Sequence, residues 1–297
     1  MILNKSSLED LQKGFSTAYQ GGFAGVQPLR ERIATTVRST TALNKYSWLG
    51  EFPGMREWIG PRVIHNISNK TYEITNRTWE ETVAVKRDDI EDDQIGIYTP
   101  IFQEFGRAVA DHPDQLIFDQ LVGGFSANCY DGQYFFDSDH PVLNPATGVE
   151  ASVSNVQTGA GDPWFLLDTT RALKPLIFQE RRKANFVSKQ SLDDENVFLR
   201  NEFAYGADGR WAAGYGFWQM AFGSKATFNA DNLRAAYTAM TNFKGDGGRP
   251  LGIKPTVLVV GNSNHFAARD VLMASQINGT TNTNQNLVEI LHVPRLA

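Results

Sequence analysis

The sequence predicts an α+β fold, and three observations carry that prediction. Residues 59 to 87 alternate apolar and polar positions as strands do. An apolar stripe at helical spacing runs from Ile101 to Val122. The C-terminal part then alternates an amphipathic helix, a buried strand and a second helix. At 297 residues the chain can bury a substantial core, and 41% hydrophobic with 21% charged residues is an ordinary globular balance.

In chain order, Leu8, Leu11, Phe15 and Tyr19 mark a short helix, and Gly21, Gly22 and Gly25 are expected to break it. Residues 1 to 50 hold too few apolar side chains for a core of their own. On composition alone they read as a flexible terminus or, in a self-assembling protein, as an arm across a neighbouring subunit that their own chain leaves uncovered, which predicts a poorly behaved monomer. Val63, Ile64 and Ile67, the turn Ser68-Asn69-Lys70, then Tyr72, Ile74, Trp79, Glu81, Val83 and Val85 predict a protruding hairpin of two or three strands. Its exposed edges suit pairing with another chain, and Trp79 is a candidate contact.

Five acids and two bases occupy Lys86 to Asp93, a density that invites a calcium reading. The calcium-binding EF-hand loop needs glycine at its sixth position, and counting from Asp88 or Asp89 puts Asp93 or Gln94 there. A helix-leading acidic turn or an inter-subunit ion-pair patch fits better. On that reading Lys86 and Arg87 pair across subunits with Asp88, Asp89, Glu91, Asp92 and Asp93. Thr99-Pro100 then reads as an N-cap with proline at the first helical position, opening a helix over about 99–122 that Pro113 should kink or split.

Gly123-Gly124 ends that helix before the stretch from Cys129 to Pro141. Cys129, His140 and several aspartates there raise the possibility of a cysteine hydrolase, with Cys129 as nucleophile and His140 as base. No cation or helix N-terminus stands by Cys129 to stabilise a thiolate. Asp131-Gly132 is instead a turn signal, Tyr134, Phe135 and Phe136 are anchoring bulk, and His140-Pro141 is an extended exit. A structural loop is the reading that the residues favour.

Ala146 to Pro163 is small and polar and reads as a surface loop. Lys174 to Arg182 predicts a strand ending in a basic turn, where Arg181, Arg182 and Lys183 are candidate DNA-facing bases, although a solvated turn or an ion pair with another subunit fits them better. Val197, Leu199, Phe203 and Tyr205 are placed on one face of a strand that Asp208-Gly209 turns into a second, Trp211 to Phe222. The aromatic residues of that second strand are expected to pack rather than to stack on bases or sugars. A helix from Asn229, a buried strand over Pro255 to Gly261, a helix over Ser263 to Ala274, a polar turn at Asn282 to Asn286 and a closing strand to Val293 complete the pattern. The strand-Gly-helix unit carries neither a phosphate-binding lysine motif nor Gly-x-Gly-x-x-Gly, so no nucleotide site is assigned.

Several longer motifs stand in a fixed order: Trp48-Leu49-Gly50, Pro53 to Gly60, Arg87 to Asp93, Gly96 to Pro100, Lys174 to Gln179 and Gly214 to Gln219. From about Phe15 to the last strand, this set resembles the Mu-like major head subunit family of tailed phages and prophages. The resemblance implies the Hong Kong 97-type capsid fold, with an N-terminal arm (1–57), an extended hairpin loop (58–88), a peripheral domain with a spine helix (89–225) and an axial domain (226–297). It implies a major capsid protein that assembles as hexamers and pentamers into an icosahedral shell around double-stranded DNA. A scaffold protein and a portal are implied partners, with the virion as location and the bacterial cytoplasm as the place of assembly.

Composition agrees without choosing. Lys plus Arg 28 against Asp plus Glu 33 gives a net charge of −5, which argues against a monomeric nucleic-acid-binding protein and for weak, non-specific DNA contact. One cysteine excludes an intramolecular disulfide. The first residues lack the apolar run of a signal peptide, and no membrane, catalytic, cofactor or metal role is expected.

Overall fold

The structure, a computed structural model, describes residues 4–46, 49, 72–92, 94–144, 149–245, 248–277 and 279–296. Helix α1 (Lys5–Ala24) opens the chain, its first turn closed by a reciprocal Asn4–Ser7 cap. A single tight turn at Leu29–Arg32 leads to strands β1 (Ala34–Arg38) and β2 (Leu43–Lys45). Next come β3 (Glu73–Thr75), β4 (Arg77–Lys86), the one-turn helix α2 (Arg87–Glu91) and the spine helix α3 (Tyr98–Gly123). After them lie β5 (His140–Asn144), β6 (Val149–Val153), β7 (Val156–Gln157), β8 (Trp164–Leu167) and the long strand β9 (Leu176–Lys189). Helix α4 (Glu195–Arg200) joins β9 to β10 (Glu202–Tyr215), which is followed by β11 (Ala221–Ser224) and α5 (Ala230–Thr241). The chain closes with β12 (Val257–Val260), α6 (Asn262–Met273), β13 (Gln276–Ile277), β14 (Thr280–Thr281) and β15 (Glu289–His292).

Two larger sheets organise these elements. A four-stranded sheet runs in the order β1-β9-β10-β4, with β1 parallel to β9 and the other pairs antiparallel. A five-stranded sheet runs β15-β12-β8-β11-β7, so it draws strands from both sides of residue 225. Its central strands are apolar throughout, as strands covered on both faces must be: Trp164 to Leu167 and Val257 to Val260 are all buried. The main core joins this sheet to the C-terminal half of α3 through Ile117, Phe118 and Leu121. A second core lies at the other end, where Leu8, Leu11, Phe15 and Tyr19 of α1 meet Phe102 and Phe105 of α3, Val85 of β4, and Phe203 and Tyr205 of β10.

That second core revises the expected arm. The glycines do not break α1: Gly21 and Gly22 lie inside it, and the helix packs along the spine of its own chain. The reason is close backbone approach. A Cβ on Gly22 would sit 1.9 Å from the Gln103 carbonyl oxygen, and one on Gly106 would sit 2.0 Å from that of Tyr19. Only hydrogen fits at either place. The helical part of the expected arm is therefore covered within the chain, contrary to the reading from composition.

Local signals elsewhere were overridden by packing. Helix α3 starts at Tyr98, with Ile97 rather than Thr99 at its cap, so Pro100 falls in the first turn, where backbone N–H groups lack helical partners anyway. Pro113 does not split the helix, which continues for 26 residues, about 39 Å. Both halves are clamped: Phe102 and Phe105 are buried before the proline, and Ile117, Phe118 and Leu121 after it. Beside it, buried Asp114 accepts from the Leu29 N–H (2.6 Å) and from Arg30 Nη1 (2.8 Å). Asp208-Gly209 makes no turn either; β10 runs through it with a register irregularity against β9, and Gly209 leaves room for the Trp211 ring.

Three further expectations change. Val197 and Leu199 lie in α4, not on the face of the Phe203–Tyr205 strand, because Asn201 in the left-handed region (φ 54) ends the helix just before β10 begins. Arg181, Arg182 and Lys183 sit mid-strand in β9 rather than in a turn, since β9 stays paired with β10 on both sides of them. The segment expected as a loop from Ala146 to Pro163 contains β6, paired over five rungs with the preceding β5, and the short strand β7. Residues 58–71 of the expected hairpin lie outside the described residues, as do the Pro53 to Gly60 motif and Asp93. Residues 77–86 of it form β4, the edge strand paired along β10. Among the described residues, no helix is long and apolar enough to cross a membrane.

Candidate functional site

The Cys129–His140 loop is the place where chemistry was conceivable, and its geometry closes it. The loop leaves α3 through Gly124, whose carbonyl accepts from Phe136 N–H (2.9 Å), and a two-residue bridge between Asn128 and Tyr134 folds it back. Asp131 stands at its centre. The Cys129 thiol donates to Asp131 Oδ1 (3.0 Å), the Gln133 N–H donates to the same oxygen (3.1 Å), and His140 Nδ1 lies 2.7 Å from Oδ2.

On the far side of the imidazole, His140 Nε2 faces Asn155 Oδ1 at 3.1 Å. The Asn155 amide is oriented by its surroundings: Nδ2 donates to the Phe135 carbonyl (2.8 Å), with those of Ala221 (3.2 Å) and Trp218 (3.3 Å) alongside, while Oδ1 accepts from Asp137 N–H (2.9 Å). The Trp218 indole stacks flat on the His140 ring at 4.0 Å and 7°. His140 and Asn155 are both fully buried.

This arrangement cannot run nucleophilic catalysis. A cysteine nucleophile needs its sulfur beside the imidazole, with the acid behind the base. Here the carboxylate sits between thiol and ring. Burial, together with the Asp131 charge and the thiol's hydrogen bond to that carboxylate, pushes the Cys129 pKa far up, so the inert thiol dominates. Burial also pushes Asp131 up, but hydrogen bonds from His140, Cys129 and the Gln133 N–H outweigh it and leave Asp131 more acidic than an ordinary aspartate.

Cys129, Asp131 and His140 bring donor atoms within 4.8 Å of one another, a set that a metal ion can use. Two ligands on a tetrahedral zinc, with bonds of about 2.0–2.3 Å, stand more than about 3 Å apart. The 2.7 Å His140–Asp131 separation is that of a hydrogen bond. The cluster is a knot joining the loop, the root of the β5–β6 hairpin, the segment before β7 and the turn at Trp218.

The charged run is engaged largely within the chain. Arg87 Nε donates to Glu91 Oε1 one helical turn away (2.8 Å), Asp88 Oδ1 accepts from Asn201 Nδ2 (2.9 Å), and Asp89 accepts from the Tyr98 hydroxyl. Lys86 and Asp92 are exposed. Trp79 is half-buried; its indole N–H donates to the Trp211 carbonyl (3.1 Å) and its ring lies against His112. Among the three bases, Arg182 pairs with Asp208, Arg181 Nη1 reaches the Ser39 carbonyl (3.3 Å), and Lys183 is exposed.

Sequence reasoning missed Asn155, which lies 15 residues beyond His140 and has no local pattern to reveal it. It also missed Phe198, the most exposed large hydrophobic side chain among the described residues, because Val197 and Leu199 on either side of it fit the alternation of a strand.

Comparison with known proteins places these features in a family. The family model described as Mu-like prophage major head subunit gpT matches residues 8–296. The major capsid protein of Escherichia phage Mu is 48% identical over 265 residues, spanning 88% of this chain and 87% of that protein. A subunit of the procapsid of bacteriophage JBD30 superposes with a TM-score of 0.86 at 45% identity, covering 99% of this chain and 100% of its own. A subunit of the JBD30 capsid decorated with minor capsid protein trimers superposes with a TM-score of 0.79 at 34% identity, covering 94% of each chain. The α+β architecture is thus the Hong Kong 97-type phage capsid fold, spine helix included. With the match running through both cores and almost the whole length, the chain belongs to the Mu-like prophage major head subunit gpT family.

Proposed function

We propose that this Mu-like major capsid protein assembles with copies of itself, as hexamers and pentamers, into an icosahedral shell around double-stranded DNA. The single observation that carries the reading is the near-complete superposition on a procapsid subunit at 45% identity. The closed Cys129–His140 knot supports a structural role without turnover. A scaffold protein and a portal act as assembly partners in the bacterial cytoplasm, and the mature location is the virion. Residues 1–57, with α1 docked on the spine helix, serve as arm, 58–88 as extended loop, 89–225 as peripheral domain and 226–297 as axial domain, the last two sharing the five-stranded sheet.

Lys86, Arg87, Asp88, Asp89, Glu91, Asp92 and Asp93, with Trp79, lie at or near contacts between subunits in this reading. The exposed and half-engaged bases Arg181, Arg182 and Lys183 touch packaged DNA weakly. A net charge of −5 supports that weakness, because a strongly basic lining would hold DNA during packing. Density-gradient sedimentation of lysates expressing the chain with its neighbouring head genes tests the proposal. Fast-sedimenting particles built mainly of the 33.0 kDa chain are expected. A chain found only in slow fractions, whatever genes accompany it, overturns the proposal.

A further inference from the structure

Helix α4 joins two 14-residue strands, β9 and β10, and carries a pair of apolar side chains into solvent. Phe198 is 86% exposed and Leu199 65%, while Val197 between the helix and the sheet is 5% exposed and anchors the helix on the second core. A phenylalanine this exposed on an ordered helix forfeits most of its hydrophobic gain in the isolated chain. The surroundings resemble the rim of an interface: apolar at the centre, charged around it with both signs. Asn201, at the end of α4, holds Asp88 and accepts the Arg87 N–H, so the mixed-charge run of α2 borders the knob. Exposed Ile97 lies in the turn that packs against α2, and exposed Ile101 follows on the first turns of α3.

We infer that Phe198 and Leu199 form an anchor that inserts into a neighbouring copy of this chain. Two arguments choose that occupant. Fully burying a phenylalanine removes about 150–250 Å² from water, well short of the roughly 800 Å² per partner of a stable one-to-one complex. A contact this small gains strength by repetition, which a shell of identical subunits supplies and a single soluble partner does not. Position agrees: β9 and β10 carry the knob about 36 Å along the sheet from Phe178, the last β9 residue buried in the main core, to the far end of the strand. The inference rests on the shell reading and names one of its contacts.

Phe198→Asp, Phe198→Leu and Phe266→Asp are compared with the parent chain, each expressed with the neighbouring head genes. Particle yield is read on a gradient, and folding by circular dichroism and thermal melting. Phe266, 73% exposed on α6, is the control for a charge placed on an exposed apolar site elsewhere. The expected result is a folded Phe198→Asp chain whose particle yield falls at least about tenfold, with Phe198→Leu and Phe266→Asp near the parent level. Phe198→Asp particles at the parent level overturn the anchor, and so do Phe198→Asp shells that assemble normally but fail to take up a minor capsid protein, since the surface then belongs to decoration. Should Phe198→Asp melt early, Leu199→Asp decides by the same yields. No particles from the parent chain itself defeats the shell reading, an outcome distinct from equal yields of parent and variant.

Discussion

At Cys129 the local environment decides the chemistry. The thiol is buried, donates to a carboxylate and has its pKa raised, so the folded protein should resist alkylation by iodoacetamide at pH 8 and react rapidly once unfolded in urea. Mass spectrometry of the two samples checks this, and Cys129→Ser should still assemble. Asp131 is held below the usual aspartate range, a depressed acid whose stabilising effect is present above about pH 3.9 and is lost as pH falls through its lower native value. Urea unfolding across pH 2.5 to 7 should therefore show stability falling on the acid side, less steeply in Asp131→Asn. Asp131→Ala leaves the His140 ring without its partner and should cost about 1–3 kcal/mol at neutral pH. The loop was legible in sequence as structural because Asp131-Gly132 and the paired phenylalanines are local signals. The partner that completes it, Asn155, was not, because nothing in a linear pattern says which distant amide turns toward a histidine.

Among the elements, legibility followed a regular pattern of burial, on one face of a helix or on both faces of a central strand. The apolar spacing of α1, α3 and α5 and the uniform run of β12 announced those elements, and the structure places them within a few residues. Turn dipeptides misled where long-range pairing was stronger: Asp208-Gly209 lies in a strand braced by β9 on one side and β4 on the other. Glycines misled for the opposite reason. Gly22 looks like a break in sequence, yet the side chains missing there and at Gly106 let α1 and α3 touch backbone to backbone. Gly106→Ala should push the helices apart and cost about 1–3 kcal/mol, read as a lower urea midpoint with an unchanged m-value. Alanine at Gly14, an exposed position on α1 where a Cβ meets nothing within 4 Å, should be neutral or mildly stabilising.

For the whole molecule, long Trp-containing motifs made the family and fold readable from sequence, while the exposed knob on α4 became visible only once α4 was placed at the tip of the sheet. The covering of α1 by its own spine means that assembly need not order this helix from scratch; the chain reaches its neighbours with two cores already formed. Weak electrostatics should govern any DNA contact, so purified capsomers are expected to release duplex DNA between 50 and 200 mM salt in a filter-binding assay. The central claim is that many copies of this chain build a closed shell, and electron microscopy of the purified protein, expressed with and without its neighbouring head genes, addresses it directly. Closed shells, tubes or capsomer rings are the predicted result. A uniform field of monomers or dimers under both conditions would contradict the account.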